Sequence, residues 1–290
     1  MRRPVFSRCL ALAAAAAALA VPGLASATHS WGGYHWARTT QQFTLQLGNN
    51  LTTVDWRNML TLASTDWNSP GDFGASFTPV LTAIVTGKSN KNCSMVTGTT
   101  QVCNGRYGAN GWLGLASINI VDGVHITRGS AKMNDTYFGT ATYNNLNEKR
   151  HVMCQEVAHT YGLGHQSETG ASLNTCMDYF SNTGANATST LSTRPNYHDF
   201  EELNLIYSHV DSTTTVATAA TAAAAANPSE VDITDDPQSW GQLVRQSANG
   251  RSSEYERNNR DGSMTVTHVY WTIEAAARCP SCDHRYEHHD

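Results

Sequence analysis

The stretch Gln155-Glu156-Val157-Ala158-His159-Thr160-Tyr161-Gly162-Leu163-Gly164-His165 constrains this chain more than any other. Residues four apart share one face of a helix, so a helix here carries Gln155 and His159 side by side. Glu156 lies one step round the same turn. Gly162 can adopt the left-handed conformation that stops a helix, after which the chain is free to bend back. His165, six residues beyond His159, then reaches the same point from outside the helix. An amide, two imidazoles and a carboxylate around one point form a set able to hold a metal ion. Three protein ligands plus water is the usual open arrangement, with a nearby glutamate as general base.

These residues follow the pattern H-E-x-x-H-x-x-G-x-x-H with glutamine at the first position, and Cys176-Met177-Asp178-Tyr179 comes shortly after. The combination resembles the metzincin clan of zinc metallopeptidases, most closely matrixin-type catalytic domains of secreted bacterial proteins that carry this glutamine. The resemblance spans about residues 30–210 and is strong over 151–207. It implies an α+β, zincin-like domain with a twisted mixed sheet, an active-site helix, a methionine turn and a C-terminal helix. It implies zinc held by Gln155, His159 and His165, with Glu156 activating water for peptide hydrolysis. Met177 would support the site from below, and Tyr179 would steady the transition state. Glutamine offers only a neutral amide oxygen, a poorer zinc ligand than imidazole, so weakened affinity or a different ion is expected. The alternative is a catalytically inactive zincin-like scaffold that binds peptide without cutting it. His151, two turns from His159, is about 12 Å away along the axis and too far to share its ion. A structural calcium has no supporting motif.

The N-terminus combines Arg2, Arg3 and Arg8 with an apolar run from Leu10 to Val21 and the Ala25-Ser26-Ala27 cleavage pattern. This is a signal peptide over 1–27, and the run is too short to span a bilayer. Secretion is the expected destination. Removing it takes three arginines from 19 basic and 24 acidic residues, leaving a formal charge of −8. That balance disfavours nucleic acid and anionic membrane as partners. A peptide or protein substrate and a monomeric state are expected. Residues 28–210 have globular texture, with helical spacing over Val54–Trp67, a helix from Asn145 to Tyr161 and a last helix from Asp199 to Tyr207. Strand-like runs lie at Gln42–Leu47, Pro79–Thr86, Leu113–Val121 and Val124–Thr127. Residues 211–229 read as an Ala/Thr-rich linker. Residues 230–290 read as a polar tail with a strand-like piece at Met264–Ile273.

Seven cysteines less Cys9 leave six, an even number for an exported chain. Cys93 and Cys103 would close a small surface loop. If helix and methionine turn meet under the metal, as the resemblance implies, Cys154 and Cys176 are neighbours and form a disulfide, a thiolate ligand being the alternative. Cys279-x-x-Cys282 forms a local disulfide or, with His284 and His288, a zinc site. No propeptide carrying a blocking cysteine is expected ahead of the domain, so latency would need another device or be absent.

Overall fold

The computed structural model describes residues 29–89, 92–217 and 236–286. The expected signal peptide, most of the Ala/Thr-rich stretch, His288 and His289 lie outside these residues. In chain order the elements begin with β1 (His35–Trp36), β2 (Phe43–Asn50), α1 (Val54–Asn68), β3 (Val80–Thr86) and β4 (Thr99–Gly105). β5 (Trp112–Val121), β6 (His125–Asn134), α2 (Asp135–Phe138), α3 (Leu146–His159) and α4 (Tyr197–Ile206) follow. The chain ends in β7 (Gln242–Gln246), β8 (Ser252–Asn258), β9 (Met264–Trp271) and α5 (Ile273–Arg278).

The architecture is α+β, built on one mixed sheet of order β3-β2-β4-β6-β5-β9-β8-β7, with β1 beside the start of β6. β3, β2, β4 and β6 run parallel. β5 returns antiparallel to β6 through a short turn in which Asp122 and Gly123 both take positive φ. That conformation suits a tight hairpin and an Asp-Gly pair.

Local signals account for the helices. Thr53 caps α1 by accepting from the Trp56 amide, and Trp56, Met59, Leu60, Ala63 and Trp67 bury the stripe that their spacing announced. Asn145 caps α3 by accepting from the Glu148 amide at 2.8 Å. α4 starts with a capping box formed by Asn196 and Asp199. The main core lies between the sheet and α1, α3 and α4, and α3 is buried along nearly its whole length.

The C-terminal residues join this same sheet. β9 pairs antiparallel with β5, from Trp112 opposite Trp271 to Ile120 opposite Met264. β8 and β7 continue outward from it. A second apolar cluster of Trp112, Leu115, Trp240, Tyr255, Val269 and Trp271 fastens the three strands to β5. Ordered chain also continues past 210. The amides of Asp211, Thr215 and Ala217 donate to the carbonyls of Arg38, Ala37 and Gly98.

Three disulfides are present among the described residues: Cys93–Cys103, Cys154–Cys176 and Cys279–Cys282. They fit an oxidising compartment. Cys93 and Cys103 are buried, so their loop is sewn to the sheet rather than closed on the surface. The disulfide answers the Cys279/Cys282 alternatives. His284 is buried against Trp271, with its Nε2 3.0 Å from the Gly250 carbonyl oxygen.

Candidate metal centre

α3 ends at His159, and the chain leaves it through Gly162 at φ +99°. A Cβ on Gly162 would lie 2.1 Å from the Tyr34 carbonyl oxygen. Backbone conformation and close approach therefore both require glycine here. The Trp31 amide donates to the Gly162 carbonyl at 2.7 Å, and Leu163 bridges to Ser30. The return carries His165 back to the helix end, with its ring centroid 4.6 Å from that of His159.

The third imidazole comes from β9. His268 packs 4.1 Å from the His159 ring and 4.7 Å from the His165 ring, centroid to centroid. The three histidines offer ligand atoms that all lie within 4.8 Å of one another. Outer hydrogen bonds prepare two of them. The Leu163 carbonyl sits 2.7 Å from His159 Nδ1, which places the proton there and leaves Nε2 bare. Tyr179 Oη is 2.9 Å from His165 Nδ1 and 3.5 Å from His268 Nε2. The Nε2 atoms of His159 and His165 are buried and have no hydrogen-bond partner. Buried nitrogen lone pairs without partners are costly unless something binds them, so the donor set fits a zinc-type ion.

Glu156 lies beside this group. Neither carboxyl oxygen has a hydrogen-bond partner, and Oε2 is 3.6 Å from His268 Nδ1. Gly114 on β5 makes room for it, since a Cβ there would lie 2.4 Å from Oε1. Burial pushes the Glu156 carboxyl well above the usual range. It pulls His159 down to about 4 and takes His165 and His268 well below their ordinary value, with neighbouring imidazoles adding to the effect on the last two. Burial therefore disfavours charge on both groups of the Glu156–His268 approach. Neutral imidazole is also the form that binds metal.

Gln155 is held differently from its helical neighbour. Its Nε2 donates to the carbonyls of Cys176 at 2.9 Å and Asp178 at 3.0 Å. Two acceptors fix the amide's orientation, so Oε1 must face the other way, and it is buried without a partner. The glutamine thus ties α3 to the turn at 176–178, parallel to the Cys154–Cys176 disulfide. The turn is locked further by Asp178, whose carboxylate accepts from the amides of Leu173 and Phe180 and from the Ser192 hydroxyl. Asp199 on α4 binds Gln166, Thr175 and His29, and the Gln166 amide donates to the Met177 carbonyl. Met177 is fully buried. His151 sits over the Asp178 carbonyl and stacks on Tyr270, away from the three-histidine group.

The centre is closed. Glu156, His159, Tyr179 and His268 are each no more than 1% exposed. β9 covers one side, and the Trp31 ring stands 5.5 Å from His159 and 6.3 Å from His268. The structure brings His159, His165 and Glu156 together as the spacing suggested and sets Tyr179 beside them as the resemblance implied, and it adds His268, which the sequence reading passed over. One signal was available, a lone histidine inside the apolar run Val266-Thr-His-Val-Tyr-Trp271, where burial calls for a partner. Comparison with family models, curated proteins and solved structures returns no match.

Proposed function

We propose that this chain is a secreted, zinc-dependent endopeptidase of metzincin type, with a matrixin-like zincin fold, held closed by its own C-terminal strands. The observation that carries the reading is the convergence of His159, His165 and His268 beside the unpartnered carboxyl of Glu156. In the closed state the three imidazoles would hold the ion. When β9 withdraws, His268 leaves with it, and Gln155 Oε1, buried without a partner on the same helix as His159, would take its place. A bound zinc ion would supply a Lewis acid that polarises the scissile carbonyl and lowers the pKa of water.

The chain's own groups do the proton work. Opening admits solvent, which relieves the desolvation that keeps Glu156 neutral. Its carboxylate then takes a proton from water as the water oxygen bonds to the carbonyl carbon. The same proton passes to the amide nitrogen as the C–N bond breaks. Tyr179 Oη, held at His165, donates to the oxygen that gains negative charge. β9 lies antiparallel along β5, so an extended peptide would pair with that strand edge once β9 has left it.

Complete burial favours a second reading, a closed scaffold that holds metal and never turns over. Zinc-loaded full-length protein and its His268→Ala variant, offered an unstructured protein at saturating zinc, separate the two. Hydrolysis that Glu156→Ala abolishes supports the peptidase. No cleavage by either protein, with zinc shown to be bound, leaves the scaffold.

A further inference from the structure

We propose that His35, His125, His209 and Asp211 form a second metal site, which takes a divalent transition ion of zinc's class and ties three distant chain segments together. It shares no residue with the first group. His35 comes from β1, His125 from the start of β6, and His209 and Asp211 from the chain just after α4.

His35, His125 and Asp211 offer ligand atoms that all lie within 4.8 Å of one another, and His209 stands beside His35 and Asp211. His35 Nε2 is 3.2 Å from His209 Nε2 and 3.8 Å from Asp211 Oδ1. Asp211 Oδ1 is 3.4 Å from His125 Nε2 and 3.6 Å from His209 Nε2. Zinc bonds of about 2.0–2.1 Å in a tetrahedron put neighbouring ligand atoms roughly 3.3 Å apart. The four separations above, 3.2 to 3.8 Å, fall around that value. Three imidazoles and one carboxylate are a donor set zinc accepts in a closed, structural site.

The outer shell is built as well. His35 Nδ1 bonds the Gly33 carbonyl at 2.9 Å, which leaves its Nε2 lone pair facing the group. His125 Nδ1 lies 3.7 Å from Asp122 Oδ2. The second oxygen of Asp211 is taken by the Arg38 amide at 3.0 Å and by Arg38 Nη1 at 3.3 Å, so Oδ1 is the one left for the ion. Arg38 is 1% exposed, and its Nη2 also donates to the carbonyls of Tyr207 and His209, which fixes the segment that carries two of the ligands. The His35 side chain is only 7% exposed and His209 is half-exposed, giving an ion a path in from solvent. Without a metal, three imidazole nitrogens lie within 3.8 Å of one carboxylate oxygen, and two ring nitrogens face each other at 3.2 Å.

The test is a count of zinc on the full-length, disulfide-intact protein after stripping with chelator, reloading and removal of excess. Two zinc ions per chain are expected. His209→Gln is expected to remove one and leave the other, and His159→Gln to do the converse. A His35→Gln/His209→Gln double variant that folds as the parent does and keeps both ions overturns the proposal. So does a parent with one ion that His159→Gln removes and His209→Gln leaves. One ion lost with His209→Gln but not with His159→Gln sustains this site and sinks the metal reading of the first. Asp211 also anchors Arg38, so Asp211→Asn risks misfolding. His125→Asn avoids that and is expected to weaken the site's zinc affinity by about 100-fold or more. Unchanged affinity in that variant overturns the proposal.

Discussion

Replacing His268 by alanine separates the two candidates for third ligand in the closed protein. The imidazole sits within ligand reach of His159 and His165. Losing an outer partner of a metal ligand costs 10–100-fold in affinity, so losing the ligand itself is expected to cost about 100-fold or more, roughly 2.7 kcal/mol. The metal-free protein should be affected far less. His268 Nδ1 is buried without a hydrogen-bond partner, and β9 keeps its pairing with β5 and β8 on either side. The matched control is Gln155→Leu. It removes two buried hydrogen bonds and leaves the Cys176 carbonyl without that partner, while the Asp178 carbonyl keeps His151. The expected cost is about 2–3 kcal/mol of stability, with closed-state zinc affinity changed by less than about tenfold. Competition against a chromophoric chelator reads affinity, and urea unfolding in excess chelator reads stability. The reverse pattern, zinc lost in Gln155→Leu and kept in His268→Ala, would refute the assignment.

Acid is expected to destabilise the zinc-free protein between pH 6.5 and about 4. His159 has a folded value of about 4 against 6.5 unfolded, so its contribution is complete above 6.5 and lost as pH falls, about 3 kcal/mol in all. His165 and His268 act in the same direction and Glu156 in the opposite one, because its folded value is raised. A urea midpoint that stays level from pH 7 to 5 in chelator would contradict this. Cys154→Ala/Cys176→Ala opens a loop with a sequence separation of 22 and is expected to cost about 3 kcal/mol in urea unfolding. Gly114→Ala puts a Cβ 2.4 Å from Glu156 Oε1 and 2.7 Å from Val152 Cγ1. It is expected to destabilise by about 1–3 kcal/mol and to lower any hydrolytic rate, and a rate equal to the parent's would argue against Glu156 as the base.

Much of the first site was legible because its signals are local. Helical periodicity put Gln155, Glu156 and His159 together, and Gly162 announced the return that brings His165 back. Asn145 and the Trp56-Met59-Leu60-Ala63-Trp67 stripe placed α3 and α1 to within a residue or two of where they lie. The Cys154–Cys176 disulfide was expected because these cysteines stand next to Gln155 and Met177, which the resemblance brings together. β4 was missed because Thr99–Gly105, although buried, is mostly polar and shows no apolar alternation. β7 and β8 were missed for a related reason, since Gln242–Gln246 and Ser252–Asn258 are largely polar or charged.

His268 and the four residues around Asp211 mark the limit of such reading. A local pattern reports which side chains share a face within one element. It carries no information about which distant strand will pair with an exposed edge. The pairing of β9 with β5 joins residues about 150 apart, and His35 meets His209 across a separation of 174. In both cases the residues that meet are individually unremarkable in sequence. Their chemistry comes from the sheet: β5 and β9 in register set His268 over the end of α3, while β1 beside β6 sets His35 against His125. The same topology bears on the closed state proposed above. A strand that both completes the imidazole set and covers Glu156 cannot withdraw without exposing the carboxyl and taking His268 away together. If zinc is held by the three imidazoles as proposed, closure and metal retention would be coupled through His268, and a stronger zinc grip in the closed form would, by linkage, favour that form when zinc is bound.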